Sequence, residues 1–170
     1  MTAEQTSRRG EAWELGLAGE YEEALEILDD ILRANPPDFA TLRLKGNLLE
    51  LKAMALLENS GKSLQTSADY VAARDCYETI LKHNPQDIAA HIDLGDHFRN
   101  LSANDKALEH YKDAARCLEF ATDVATRTQD LQQLLEGVSL LTKHDRVRKA
   151  ATELESWCKE EALRAVDERR

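Results

Sequence analysis

The sequence predicts an all-α fold of antiparallel helix pairs, about eight helices in one domain over residues 1–170. Three observations carry the prediction. First, one pattern recurs: Tyr21, Ala24, Leu28, Ile31 and Pro36 upstream, then Tyr70, Ala73, Tyr77, Ile80 and Pro85. In both copies Tyr precedes Ala by three residues, the next large apolar side chain follows Ala by four, and Pro follows Ala by twelve. Second, Leu94, Gly95, Phe98, Ala107, Tyr111 and Ala114 continue the series, and Gly46 and Gly95 each lie ten residues past a Pro of the pattern. Third, charged residues make up 32% of the chain while Gly and Pro number only seven and three, a balance that suits helices throughout.

The first helix is expected from about Glu4 to Leu17, with Ala12 and Leu15 packing and Trp13 and Leu17 on another face. Gly19 permits the tight turn after it. The second, from about Tyr21 to Ala34, turns Ala24, Leu28 and Ile31 inward at spacings of three and four. Asn35-Pro36-Pro37 ends it, and Asp38 can cap the next helix.

A long third helix starts near Phe39 and stays apolar through Leu57, with its first break signals at Asn59-Ser60-Gly61. Ser67 or Asp69 then caps the fourth. Pro36 and Pro85 are 49 residues apart, so this pair carries roughly 15 extra residues over a 34-residue period. The pattern predicts about two added turns on each helix, with Met54, Leu56, Leu57 and Leu64 on the projecting part.

The third pair spans about Asp87 to Glu119, joined by Ser102-Ala103-Asn104-Asp105, which has capping chemistry. A break is expected at Thr122-Asp123. Two closing helices complete the chain. One has Val124, Leu131, Leu134, Leu135, Val138 and Leu141 as its stripe, and Gly137 as an interior weak point. The other begins after a turn at Lys143-His144-Asp145, with Asp145 as cap and Val147, Ala150, Leu154, Trp157 and Ala165 inward.

This spacing resembles the tetratricopeptide repeat, a unit of about 34 residues forming a helix–turn–helix. The resemblance covers about two-thirds of the chain, roughly Gln5 to Glu119. It implies a right-handed superhelix of helix pairs, an α-α solenoid. The repeats fall at about 5–38, 39–87 with an insertion at about 52–66, and 88–121, and capping helices occupy 122–168. The sequence departs from the family pattern at Glu11 and Lys45, where a Leu is usual, and at Glu119, where the closing Pro would stand.

Composition excludes several functions. The net charge is −10, from 22 basic and 32 acidic residues, and no Lys/Arg block exists to neutralise phosphates, which argues against nucleic acid. No apolar run reaches the roughly 18 residues that span a bilayer. The N-terminal Arg8-Arg9 pair has no apolar stretch behind it, so no secretory signal is expected and a cytoplasmic location is. Cys76, Cys117 and Cys158 have no metal-binding spacing and read as apolar residues in a reducing compartment. Five scattered His residues, among them His83, His91, His97 and His110, show no nucleophile or ligand spacing, and no Gly-rich phosphate loop is present. An enzyme is not expected, nor a metal or other cofactor.

The resemblance also implies where a partner binds. In such arrays the front helices line a concave groove. Carried over by register, that face holds Arg9, Trp13 and Leu17, then Arg43, Asn47, Glu50 and Leu51, then Ile92, Asp96, Arg99 and Asn100. Of these, Arg9, Trp13, Arg43, Asn47, Glu50, Asp96 and Arg99 are the candidate binding residues. Arg suits a carboxylate and Asn a peptide backbone, so a protein or peptide partner with acidic groups is expected. The clamp of chaperone-tail binders would fall on Arg9, Trp13, Leu44, Ala89 and Asp93, and only the first is basic, so that specialised role is not implied. The implied function is a noncatalytic interaction scaffold or adaptor. A secretion or assembly chaperone and a self-associating module, dimerising through Met54, Leu56, Leu57 and Leu64, are the alternatives.

Overall fold

A computed structural model describes residues 3–58, 63–121 and 124–167. These residues form eight α-helices and one short 3-10 turn, and no strand. The chain divides into two compact units, residues 1–83 and 84–170.

The first unit contains α1 (Ala3–Leu17), α2 (Tyr21–Ala34), α3 (Phe39–Glu58) and α4 (Ala68–His83). α1 pairs with α2 and α3 with α4, and α3 also packs on both helices of the first pair. Ala12, Ala24, Leu28, Ile31 and Leu48 form the core of the first three helices, with Leu15, Leu25, Ile27 and Leu44 around it. Gly19, at φ +85°, makes the left-handed turn between α1 and α2, a conformation that costs a residue without Cβ little. Asp38 caps α3: its Oδ1 accepts from the Thr41 amide at 3.0 Å. Ser67, rather than Asp69, caps α4 by accepting from the Tyr70 amide at 3.3 Å.

The extra residues of this hairpin are not shared between its helices. α3 runs for 20 residues against 15 in α1, whereas α4 begins only two residues before Tyr70. α3 is apolar and uninterrupted to its end. The far side instead holds Ser63, whose Oγ accepts from the Gln65 amide at 3.3 Å and starts the 3-10 turn Leu64–Thr66. The expected break at Asn59-Ser60-Gly61 lies outside the described residues.

The second unit contains α5 (Ile88–Asn100), α6 (Asn104–Leu118), α7 (Val124–Leu141) and α8 (Arg148–Asp167). α7 packs on both α5 and α6, as α3 does on α1 and α2, so within each unit the second helix pair begins against both helices of the first. The α5–α6 turn has no side-chain cap. Ser102 takes a left-handed conformation at φ +58°, the Ala103 amide bonds the Phe98 carbonyl at 2.9 Å, and Asn104 Oδ1 is buried without a hydrogen-bond partner. The break expected at Thr122-Asp123 lies outside the described residues. α8 is rotated from its expected stripe: Ala151, Cys158, Glu161 and Ala165 are buried, while Ala150, Leu154 and Trp157 are only half-buried. Glu161 sits inside because Arg127 of α7 meets it at 2.5 Å and Arg164 also pairs with it. No described helix is long and apolar enough to cross a membrane.

Candidate functional site

The front helices are held by a tyrosine docked on a glycine, twice over. In the first unit Tyr77 of α4 lies where a Cβ on Gly46 would stand, 2.5 Å from its ring, and the Tyr77 hydroxyl donates to Asn47 Oδ1 at 2.8 Å. In the second unit Tyr111 of α6 meets Gly95 in the same way, and its hydroxyl donates to Asp96 Oδ1 at 2.7 Å. Gly and the acceptor are adjacent in both cases. Gly46 and Tyr77 are 31 residues apart and Gly95 and Tyr111 are 16, so the insertion leaves this docking intact. Tyr111 also contacts Gly137 of α7, where a Cβ would fall 2.5 Å from its hydroxyl. Gly137 is therefore the seat of a buried aromatic side chain and not a weak point in α7. Burial, and then the Asp96 carboxylate, pushes the Tyr111 pKa upward, so its hydroxyl remains a donor.

Family models place residues 59–122 in a tetratricopeptide repeat family. Over that stretch the chain carries tetratricopeptide-repeat sequence. Such repeats serve as scaffolds for protein interaction. Sequence comparison with curated proteins gives no match. Two solved structures of MamA are similar to this chain. One shares 15% identity at a TM-score of 0.45, covering 96% of this chain and 94% of that one. The other shares 16% at a TM-score of 0.42, covering 93% and 95%.

The tetratricopeptide register assigns the candidate binding residues to α1, α3 and α5, and the structure shows how each is held. In the first unit, Arg9 pairs with Asp38 at 3.2 Å, and both side chains are largely buried. Arg9 thereby ties α1 to the residue that caps α3. Trp13 is 37% exposed and Leu17, one turn on, is 60% exposed. On α3, Asn47 holds the Tyr77 hydroxyl, Arg43 and Glu50 are half-buried with interaction partners, and Leu51 is exposed. In the second unit, Asp96 accepts from Arg99 Nη2 at 2.8 Å as well as from Tyr111. Arg99 Nε reaches the Tyr111 hydroxyl at 3.3 Å. Burial opposes the Arg99 charge, but the hydrogen bonds it donates to Asp96 and Tyr111 hold its pKa above the ordinary value. Several polar candidates thus also brace the helices that present them.

The projecting residues of the α3–α4 hairpin differ among themselves. Leu56 is 57% exposed, and Met54, Leu57 and Leu64 are half-buried. Leu56 and Leu57 line an open pocket of about 310 Å³ with Ala53, Ser63, Thr66 and Ala68.

A separate polar group lies in the second unit and was hidden in the sequence. His91 of α5 and His110 of α6 approach to 3.4 Å between their Nδ1 atoms, and Asp113 of α6 lies beside them. Burial, and next the neighbouring His91, lowers the His110 pKa. Phe98 stacks on the His110 ring at a 5.4 Å centroid separation, and Lys106 lies over Phe98.

Proposed function

We propose that the chain is a noncatalytic scaffold that holds a peptide or protein segment against its front helices. Trp13 carries this reading. A tryptophan left 37% exposed beside an exposed Leu17 supplies the aromatic anchor on which interfaces concentrate their binding energy. Leu51 adds apolar surface on α3, the next front helix, with Arg43, Asn47 and Glu50 on the same helix to orient a backbone or carboxylate. In the second unit, taken by itself, Asp96 and Arg99 hold the same register positions on α5. Ordering a peptide is costly, so an affinity near micromolar, about −8 kcal/mol, is expected. The partner carries acidic groups on this reading, and the setting is cytoplasmic. Capture from extracts of the source cell tests it. A partner held by the unmodified chain and by Leu163→Ala, a change on α8, should be lost from Trp13→Ala/Leu17→Ala. Equal capture by all three refutes the front-helix site.

A second reading is favoured by Leu56, which is 57% exposed at the end of an apolar helix. A second copy of the chain would cover it and Leu57, Met54 and Leu64, with twofold pairing the simplest closed arrangement. Sedimentation should then give a dimer that Leu56→Asp converts to a folded monomer. A monomer at tens of micromolar in the unmodified chain excludes it.

A further inference from the structure

The pocket between α5 and α6 has the makings of a metal centre. His91, His110 and Asp113 each offer a ligand atom, and these atoms all lie within 4.8 Å of one another. His110 and Asp113 are three residues apart on α6 and so share a face. His91 comes from α5, so the group joins the two helices of one repeat.

The separation of the two ring nitrogens is informative. At 3.4 Å it is long for a hydrogen bond, whose nitrogen–acceptor distance ordinarily falls within about 2.7–3.2 Å. Two nitrogens bound 2.0–2.1 Å from one zinc ion in tetrahedral geometry are about 3.3–3.4 Å apart. At the right angle of octahedral coordination the same bonds would bring them to about 2.9 Å. The spacing therefore matches a tetrahedral ion.

The far side of the His91 ring fits as well. Its Nε2 lies 3.0 Å from the Pro85 carbonyl, which accepts only from a protonated Nε2. That bond leaves the Nδ1 lone pair directed at the group. A backbone carbonyl holding the other ring nitrogen is the usual support of a ligating histidine. The stacked Phe98 fixes the plane of His110 in turn. Asp113 pairs with Arg116, whose side chain is 72% exposed. An exposed pair of this kind contributes little stability, so Arg116 can swing aside for an ion. An open pocket of about 310 Å³, lined by Pro85, His91, Asp113, Arg116 and Cys117, adjoins the group.

We propose that His91 Nδ1, His110 Nδ1 and the Asp113 carboxylate bind a divalent transition-metal ion of tetrahedral preference, Zn2+ foremost, with the fourth position open to this pocket. The donor set of two imidazoles and one carboxylate suits zinc, and three protein ligands with an open position leave room for water or a side chain from another protein. The site lies in the second unit and is independent of the Trp13 surface. It adds a metal-dependent fastening between α5 and α6.

Zn2+ titration of the tag-free, metal-stripped full chain, read against a competing chromophoric chelator, tests the proposal. One equivalent should bind at micromolar strength or tighter and raise the melting temperature. Asp113→Asn and His110→Ala should each weaken binding by about 100-fold, since even the residues supporting a ligand contribute 10–100-fold. His83→Ala/His144→Ala, which removes two exposed histidines elsewhere, should bind as the unmodified chain does. Asp113→Asn changes a half-buried side chain and keeps its shape, so it remains informative if His110→Ala fails to fold. A Co2+ form should show the strong visible absorption of four-coordination. Absence of stoichiometric binding, equal affinity in Asp113→Asn, loss in the His83/His144 variant, or the weak absorption of six-coordinate Co2+ would each overturn it.

Discussion

Replacing Gly95 with Ala should destabilise the protein although alanine is the better helix former. A Cβ at this position falls on Tyr111, whose nearest atoms are ring carbons Cε1 and Cδ1. Tyr111 is fully buried and its hydroxyl is fixed by Asp96, so the ring has no free direction of retreat. Overpacking of a filled core costs about 1–3 kcal/mol. Any movement of the ring also weakens a hydrogen bond to a charged acceptor, which contributes about 1.5–3 kcal/mol. Against this stands a propensity gain of about 1 kcal/mol. The net expectation is a loss of about 1–3 kcal/mol. Gly10 is the control: it lies inside α1 and a Cβ there meets nothing within 4 Å, so Gly10→Ala should stabilise by about 1 kcal/mol. Urea unfolding of the full chain should move the two midpoints in opposite directions at unchanged slope. Tyr111→Phe sharpens the test. Gly137 faces the hydroxyl itself, 2.5 Å from an added Cβ, whereas Gly95 faces the ring edge. Removing the hydroxyl takes away the nearest clash of Gly137→Ala, with ring carbons Cζ and Cε1 still 2.7 and 2.9 Å from the Cβ, so it should relieve that change in part and leave the steric cost of Gly95→Ala, a difference that double-mutant cycles measure. If Gly95→Ala proves as stable as Gly10→Ala, the docking argument is wrong.

Other changes give further tests. Asp38→Ala removes both the α3 cap and the ion pair with the largely buried Arg9, and should cost about 2 kcal/mol by thermal unfolding, with a cap alone contributing about 1 kcal/mol. Glu161→Ala removes the carboxylate that pairs with Arg127 beneath α8 and should cost about 1.5–3 kcal/mol, while Glu160→Ala next to it, on an exposed position, should be close to neutral. Burial pushes the thiols of Cys76 and Cys158 up to about 11 and about 12, so at pH 8 alkylation should reach the half-buried Cys117 first and the other two only on unfolding. Both pKa values lie above those of an unfolded thiol, so the stability these groups contribute is complete below about pH 8.5 and is lost as pH rises towards 11–12. A flat unfolding midpoint between pH 8 and 11 in the unmodified chain, matching Cys76→Ala/Cys158→Ala, would contradict that linkage.

The features that were legible in the sequence are those written in local spacing. Ala24, Leu28 and Ile31, and then Tyr70, Ala73, Tyr77 and Ile80, are buried where the three-and-four pattern puts them, because each helix needs only its own period to choose a face. Features that depend on a neighbour were not legible. Nothing in the run around Gly137 announces that Tyr111, 26 residues earlier, docks there. Glu161 reads as a solvent-facing charge until Arg127 is placed beside it, and the buried stripe of α8 passes through it instead of through Leu154 and Trp157. The same holds at the candidate sites. Register puts Trp13 on an outward face, but not the pairing of Arg9 with Asp38 or of Arg99 and Asp96 with Tyr111. His110 and Asp113 carried a signal in their three-residue spacing. Its meaning depended on His91, 19 residues away on another helix.

The unequal α3–α4 hairpin separates two properties that a repeat normally ties together. Its base is gripped by Tyr77 on Gly46 and Asn47, as Tyr111 grips Gly95 and Asp96, although the two loops between them differ by 15 residues. Nothing in that grip registers how far the hairpin extends beyond it. Reach is therefore adjustable in whole turns of about 5.4 Å without altering that grip. A lineage can lengthen or trim this arm by small insertions and deletions that leave the tyrosine grip in place. An experimenter can use the same latitude to graft a reporter or a binding epitope at the tip.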